Sequence, residues 1–163
     1  MPGGRVKARL AAVAVAAGLV LGLTGCGMVT PVATNIHYDP SDGSGVNVGE
    51  LHLRNLMVVT SHTEYGAEEG SLVFTAVNPT SEERVITMQY GEGSDKQTVE
   101  VTVAAGSSLI LGVGDEKPIT ITNLTVPAGG ILPMYVQSGS DAGRMVNVPV
   151  LDTTLAEYEG LAR

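Results

Sequence analysis

Short apolar runs recur along most of this chain, and their spacing limits the possible folds more than any other feature. From residue 71 onward, runs rich in Val, Ile, Leu and Thr start every 10 to 13 residues, with Gly, Pro or Asp at the breaks. The runs cover 48–60, 71–79, 84–90, 96–103, 109–113, 119–126, 131–137 and 144–150. This spacing predicts an all-β fold, an antiparallel β-sandwich of about seven or eight strands.

Alternation within the runs supports the same fold. The run 96–103 alternates valine with Thr and Glu, as a strand buried on one face does. Strict alternation in the run 48–60 predicts that His52 and Met57 point to opposite faces. The chain has 21 Gly, 8 Pro, no Trp and one Phe, so we expect many turns and a core of Val, Leu, Ile and Met. No helical pattern separates the runs, which argues against βαβ units.

The first 25 residues have the layout of a secretory signal. Arg5, Lys7 and Arg9 give a basic start, and residues 10–23 carry no charge. This apolar run is shorter than the roughly 20 residues that a membrane-spanning helix needs. We therefore expect an N-terminal signal helix that is removed from the mature protein.

The only cysteine, Cys26, stands directly after the apolar run. Together with Cys26, the residues Leu23, Thr24 and Gly25 resemble the lipobox of bacterial lipoproteins. That resemblance implies diacylglyceryl transfer to the Cys26 thiol and cleavage before Cys26. A disulfide would need a second cysteine, which the chain lacks. Two acyl chains anchor a protein stably, so we expect a lipid-anchored protein on the extracytoplasmic face of the cell membrane.

These features predict four segments. They are a lipoprotein signal peptide at 1–25, the lipidated cysteine with a flexible tether at 26–47, the sandwich at 48–150 and a C-terminal tail at 151–163. Pro, Gly, Ser, Asn and Asp dominate the tether. In the tail, Thr154 stands three residues before Glu157, which fits a capping box and predicts a short helix over 155–161.

The charge balance excludes some partners. The whole chain has a formal net charge of −8, and residues 1–25 contribute three cations and no acid. The acidic remainder would repel phosphate backbones, so we predict no nucleic-acid binding. It would also disfavour a second, electrostatic contact with lipid headgroups. The expected partners are the membrane, through the lipid on Cys26, and an envelope protein.

Histidine and methionine side chains are the candidates for a metal site, because imidazole and thioether suit Cu(I). The candidate ligands are His52, His62, Met57 and Met88. The methionines stand among Val and Ile, where they fill a core, and His37 lies in the tether. We therefore predict no metal and no cofactor.

Patterns that suggest other chemistry are incomplete. Residues 39–50 begin with Asp39 and end with Glu50, as a calcium loop would, but the sixth position is Ser44 rather than Gly. The sequence has no G-x-S-x-G elbow, and its adjacent acid pairs would point apart on a strand. We therefore predict that the protein is not an enzyme.

Several stretches carry a resemblance to known proteins. The signal and lipobox are followed by DGSGVNVGELHLRNLMVV, SLVFTAVNPTSEE, AAGSSLILGVGDEKPI and MVNVPVLD. Together they resemble an uncharacterised actinobacterial lipoprotein family and, more distantly, the PCuAC-type periplasmic copper(I) chaperones. The resemblance implies an immunoglobulin/cupredoxin-like sandwich. It also places Leu109 and Leu111 where the copper family has His-x-Met, which implies that the copper ligands are absent.

Together these features predict a membrane-anchored, extracytoplasmic lipoprotein that acts as a non-enzymatic binding or accessory module. Sandwiches commonly bind through end loops or by strand addition at an edge. The alternative is a metal-handling protein related to the PCuAC chaperones that uses ligands other than those of the family.

Overall fold

Nine β-strands account for most of residues 38–61, 64–65, 68–114 and 116–162, which a computed structural model describes together with residues 9–15. The strands are β1 (Ser44–Val48), β2 (Leu51–Val59), β3 (Glu68–Val77), β4 (Arg84–Tyr90), β5 (Gln97–Val103), β6 (Ser108–Leu111), β7 (Ile119–Leu124), β8 (Ile131–Ser138) and β9 (Arg144–Leu151). A single 3-10 turn, Gly93–Asp95, is described between β4 and β5.

The chain divides into two units, Met1–Tyr38 and Asp39–Arg163. In the first unit, residues 9–15 are helical. Among the described residues, no helix has both the length and the apolar character needed to span a membrane. The lipobox and Cys26 lie outside the described residues.

The strands of the second unit follow the order β5-β4-β8-β9-β2-β3-β6, with β1 also on β2 and β7 also on β3. All pairs are antiparallel except β2 with β9. Strand β9 links two layers, because its first six residues pair with β8 and its last two, Val150 and Leu151, pair with β2. One layer is β5-β4-β8-β9, and the other contains β1, β2, β3, β6 and β7. The predicted all-β sandwich is confirmed.

The core between the layers is built almost entirely from aliphatic side chains. The largest fully buried members are Phe74, Leu51, Leu53, Leu56, Leu72, Ile86, Met88, Ile121, Leu124 and Met134. Strands β4 and β8 bury every second residue, as the alternation predicts. Burial of these side chains is the main stabilising term of the fold.

A β-bulge in β2 changes which residues face the core. The β2–β3 register shifts between Arg54 and Met57, and Asn55 has a left-handed φ of 53°. Leu51 and Leu53 before the bulge and Leu56 and Val58 after it therefore all enter the main core. The prediction that His52 and Met57 point to opposite faces is wrong, because the extra residue puts both on the outer face.

The bulge is held by a segment that the sequence assigned to the tether. The Gly43 N–H donates to Asn55 Oδ1 at 3.1 Å, and a Cβ on Gly43 would lie 2.4 Å from the Asn55 main chain. Strand β1 begins at Ser44 and pairs with β2. The sandwich therefore begins earlier than residue 48. Composition alone suggests a flexible tether here, but Gly43 has no side chain and so allows its main chain to lie close to Asn55.

The C-terminal tail forms turns where the sequence predicted a helix. Over the described residues 152–162, the Tyr158 N–H donates to the Leu155 carbonyl, and the Leu161 N–H donates to the Tyr158 carbonyl. Each hydrogen bond closes a four-residue turn. Thr154 donates its N–H to Asp152 Oδ1 instead of starting a capped helix. The tail is fixed by Tyr158, which is buried against Met57 and other residues of the outer face.

Candidate functional site

The metal candidates on β2 are too far apart to share an ion. His52 is partly exposed, and its Nδ1 lies 3.0 Å from Asn47 Oδ1. Met57 is 3% exposed and packs with Val59 and Tyr158. Five residues of strand separate the two side chains, a distance of roughly 16 Å at about 3.3 Å per residue. The structure does not bring this pair together.

The third described candidate, Met88, lies in the main core with 0% exposure. Leu109 and Leu111, which the resemblance aligned with the copper ligands, pack partly buried against the same core. His62 lies outside the described residues. Within the ranges that the structure describes, no three His, Cys, Asp or Glu side chains form a group that could hold a metal.

The two acids that resembled the ends of a calcium loop have structural contacts. Asp39 Oδ2 accepts a hydrogen bond of 2.8 Å from the Gly45 N–H. The largely exposed Glu50 forms an ion pair with the partly exposed Arg84 at 3.8 Å. Both contacts lie around β1 and the turn after it, so this stretch is part of the sandwich.

The two long sides of the sandwich differ in how they are covered. We call the side where β9 links the layers the closed side, and the side formed by β5, β6 and β7 the open side. Among the described residues, β5 pairs with β4 alone, and β6 and β7 pair with β3 alone. Strand β5 lies next to β7 without strand pairing. The open side therefore contains free strand edges.

Apolar residues on the open side are incompletely covered. Partly exposed side chains that pack against the main core there are Val99, Leu109, Leu111, Ile119 and Val126. On the closed side, by contrast, Val58 and Val150 are paired and have 0% exposure. The main core thus reaches solvent chiefly along the open side.

A buried asparagine fixes one end of the open side. Asn78 follows β3 and has 0% exposure. Its Nδ2 donates to three main-chain carbonyls, those of Glu82 at 2.8 Å and of Val103 and Ala104 at 3.1 Å each. Its Oδ1 accepts from the main-chain N–H of Thr80 at 3.1 Å. One side chain therefore ties the end of β3 to the end of β5.

A tyrosine bridges the other end of the open side. The Tyr90 hydroxyl at the end of β4 donates to the Thr122 carbonyl at 2.9 Å and accepts from the Thr122 N–H at 3.2 Å. Burial raises the pKa of Tyr90, and these two hydrogen bonds partly oppose the increase. The Tyr90 side chain therefore joins the layer of β4 to β7 where no main-chain pairing does so.

A cavity of about 470 Å³ opens beside Tyr90. Tyr90, Val126, Leu132 and Tyr135 contribute apolar walls, and Gln89, Glu92, Asp95, Lys96 and Asn123 contribute polar groups. Its size is within the range of small-molecule sites. The charged groups that border the cavity are two acids, Glu92 and Asp95, and one base, Lys96.

The outer face of the four-stranded layer exposes apolar side chains. Met145 is 66% exposed and stands opposite Tyr135 in the β8–β9 pair, and Ile131 is 56% exposed. The Tyr135 ring lies close over Gly143, where a Cβ would come 2.2 Å from the ring carbon Cζ. This face is a second surface available for contact.

The outer face on the closed side is covered by the tail. Tyr158 packs with Met57, Val59 and Val73 in a separate small cluster. Its hydroxyl donates to Asp42 Oδ2 at 2.6 Å. This hydrogen bond, together with burial and the nearby negative charge, raises the pKa of Tyr158 to about 12.

Sequence reasoning missed the residues that define the open side. Asn78 lies in NPTSEE, which predicts a turn, and its bond from Thr80 is the Asx turn that such a sequence favours. Its bonds to Val103 and Ala104 span more than 20 residues, and no local pattern indicates them. The alternation in 96–103 predicts a strand but does not show that the strand lies at an edge.

Comparison with known proteins gives a distant structural likeness. No protein-family model matches the chain, and no curated protein matches it. The solved structure of a copper-bound PCuAC domain from PmoF2 is similar at a TM-score of 0.40 and 13% identity, covering 67% of this chain and 98% of that domain. Membership of the actinobacterial lipoprotein family stays a prediction.

Proposed function

We propose that this chain is a lipid-anchored, extracytoplasmic binding module that contacts a partner without catalysing a reaction. The observation that carries the proposal is the position of Cys26, which follows Leu23-Thr24-Gly25 at the end of the uncharged run 10–23. Acyl chains on this cysteine would hold the module at the membrane, since each buried CH₂ contributes about 0.8 kcal/mol.

The sandwich supports a binding role because it offers free strand edges and an exposed apolar face. Edges and end loops are the surfaces through which sandwiches commonly recognise partners. Polar side chains on β2 and β4 support a non-catalytic role, since they have structural partners. Examples are His52 beside Asn47 and Arg84 beside Glu50.

Copper handling is the alternative function, and a titration separates it from the proposal. Cu(I) competition against a chromogenic chelator should show no stoichiometric binding by the full chain, because His52, Met57 and Met88 do not converge. A Met57→Leu variant is the matched control, since it removes a thioether and keeps a similar volume. Tight binding that this substitution weakens would replace the proposal with metal handling.

Mass spectrometry of the protein purified from membranes tests the anchor. We expect an N-terminus at Cys26 and an added diacylglyceryl mass, whereas Cys26→Ser should retain residues 1–25 and carry no lipid. Thr30→Ser, a small change after the lipobox, is the matched control and should be processed normally. A native chain that keeps residues 1–25 and an unmodified thiol would contradict the proposal.

The binding role needs a separate test in intact cells. Photo-crosslinking side chains placed at exposed positions, such as Thr98, Ile110 and Met145, should yield a discrete adduct with an envelope protein from at least one position. Failure of every position to yield an adduct would contradict a binding role, whatever the state of Cys26.

A further inference from the structure

We infer that the β5 edge, Gln97–Val103, is a strand-addition site for an extended segment of a partner protein that places a basic side chain opposite Glu100. This inference rests on the proposed binding function and specifies its contact surface. In strand addition, main-chain hydrogen bonds supply affinity, and alternate side chains supply specificity.

Hydrogen bonding in β4 determines which β5 groups face the free edge. The Val85 carbonyl accepts from the Gly139 N–H, so Val85 directs its main-chain groups toward β8. Alternation then directs those of Ile86 and Met88 toward their β5 partners, Val101 and Val99. The residues between and beside these valines turn their N–H and C=O groups away from β4. They are Thr98, Glu100 and Thr102.

Apart from the single charge of Glu100, the β5 strand lacks the features that normally protect edge strands from pairing. Such strands are usually short, bulged, charged, or interrupted by Pro. Strand β5 reads QTVEVTV, and it pairs with β4 without a register shift over seven consecutive positions. The other strands with a free edge on this side, β6 and β7, have four and six residues, and the pairing of β7 with β3 is interrupted by a register shift. Strand β5 is therefore the longest and most regular template.

An added strand would also cover apolar surface. Val99 is partly exposed on β5, and Leu109 and Ile119 are partly exposed on the facing strands. Every second residue of the added strand would point toward these side chains. The partner segment should therefore alternate, with β-branched or other apolar residues facing inward.

Charge favours a basic partner over a second copy of this chain. Glu100 is exposed at the centre of β5 and is the only charged residue in that strand. Antiparallel pairing of two β5 strands about their centres would set Glu100 against Glu100, and like charges opposite each other destabilise a sheet. A Lys or Arg at that position would instead form a favourable cross-strand pair.

Peptides of defined sequence test the inference on the full ¹⁵N-labelled chain. The probes are the nonapeptide TVTVKVTVT, the same peptide with a central Glu, and TVPVKVPVT, whose prolines replace the residues opposite Thr98 and Thr102 and remove N–H groups that would donate to β5, all with Gly-Ser flanks. We expect TVTVKVTVT to slow amide exchange at Thr98, Glu100 and Thr102 by about tenfold or more at saturation. The central-Glu peptide should bind about fivefold more weakly, which is the expected size of one cross-strand charge pair. The proline peptide should not bind.

Two variants connect the binding to this edge. Glu100→Lys should reverse the preference between the Lys and Glu peptides without removing a main-chain donor. Thr102→Pro should reduce binding about tenfold or more, because it removes an edge N–H and leaves the β4 ladder intact. Thr102→Ser keeps that N–H and is the matched control.

Three results would overturn the inference: no binding at millimolar peptide, protection at β6 or around Met145 instead of β5, or protection of β5 that rises with protein concentration alone. The last result would assign the edge to a second copy. If crosslinks form in cells only from Met145, the proposed function stands and this inference fails. If Cys26 is not lipidated and no crosslinks form, yet the Lys peptide protects β5, the proposed function fails and the edge still binds extended chains.

Discussion

The closed and open sides of the sandwich use similar side chains but are held together differently. On the closed side, β9 passes from one layer to the other, and main-chain pairing brings Val150 beside Val58. On the open side, no strand passes between the layers among the described residues, and the side chains of Asn78 and Tyr90 connect them. A sandwich that shares one strand is thus joined by main chain on one side and by a few polar side chains on the other.

This difference determines where each side can bind or open. The outer face beside the closed side is already covered by the tail through Tyr158. The open side leaves Val99 and the polar main-chain groups of β5 uncovered by another strand. The closed side therefore stabilises the fold, whereas the open side has strand edges that could still pair with another strand. Substitutions that weaken one side at a time test this difference.

Loss of the asparagine at the open side should have the largest effect. Asn78→Ala leaves three carbonyls without their buried donor, and we expect it to lower the free energy of unfolding by about 3 kcal/mol. Chemical denaturation measures this loss. Asn147→Ala, at an exposed side chain, is the control and should stay within about 0.5 kcal/mol of the wild type. A loss below about 1 kcal/mol for Asn78→Ala would show that the open side does not depend on this residue.

Overpacking at the bulge should have a somewhat smaller effect. A Cβ on Gly43 would lie 2.4 Å from the Asn55 main chain, so Gly43→Ala should cost about 2 kcal/mol on denaturation. Gly160→Ala is the control, because a Cβ there meets no atom within 4 Å. Equal stability of the two variants would mean that β1 and the bulge do not pack as described.

Removal of the tail hydrogen bond should act locally. Tyr158→Phe keeps the ring against Met57 and loses the bond to Asp42, at a cost of about 1 kcal/mol. Amide exchange at Leu161, whose N–H donates to the Tyr158 carbonyl, should rise about fivefold, while exchange in β2 and β3 stays unchanged. Tyr65→Phe, at an exposed ring, should change neither. An increase that extends through β2 would show that the tail supports the whole fold.

The smallest effect is a pH dependence on the closed side. Because Tyr158 has a pKa of about 12 in the fold against an ordinary 10.0, its contribution is complete below pH 10 and declines as the pH rises toward 12. The difference in tyrosinate absorbance between the wild type and Tyr158→Phe isolates this group. Its midpoint should lie near 12, and a midpoint near 10 would mean that the Asp42 bond does not persist in solution.

The amino-acid sequence predicts the layers better than their boundaries. Regular alternation and turn residues identify the eight strands from β2 to β9, because burial of one face requires that period. The sequence does not reveal β1 or the bulge, because both depend on the contact of Gly43 with Asn55, which is twelve residues away. The tail helix was predicted from Thr154 and Glu157, but the contact of Tyr158 with Asp42 outweighs this weak local preference.

The binding surface is less predictable than the fold. The run 96–103 looks like the other strands, and only the pairing order makes it an edge. The Lys96 and Glu100 side chains give no local sign of this role, because β2, β3 and β9 also carry exposed charges. The lipobox, in contrast to the edge strand, can be recognised from the sequence alone, because its motif is the contiguous stretch from Leu23 to Cys26.

Amide exchange in the full chain without any added peptide tests the open side most directly. We expect an alternation along β5, with the Thr98, Glu100 and Thr102 amides exchanging fast and the Val99, Val101 and Val103 amides exchanging slowly because they bond to β4. Uniformly slow exchange of all six amides would contradict it, because the edge would then already be covered.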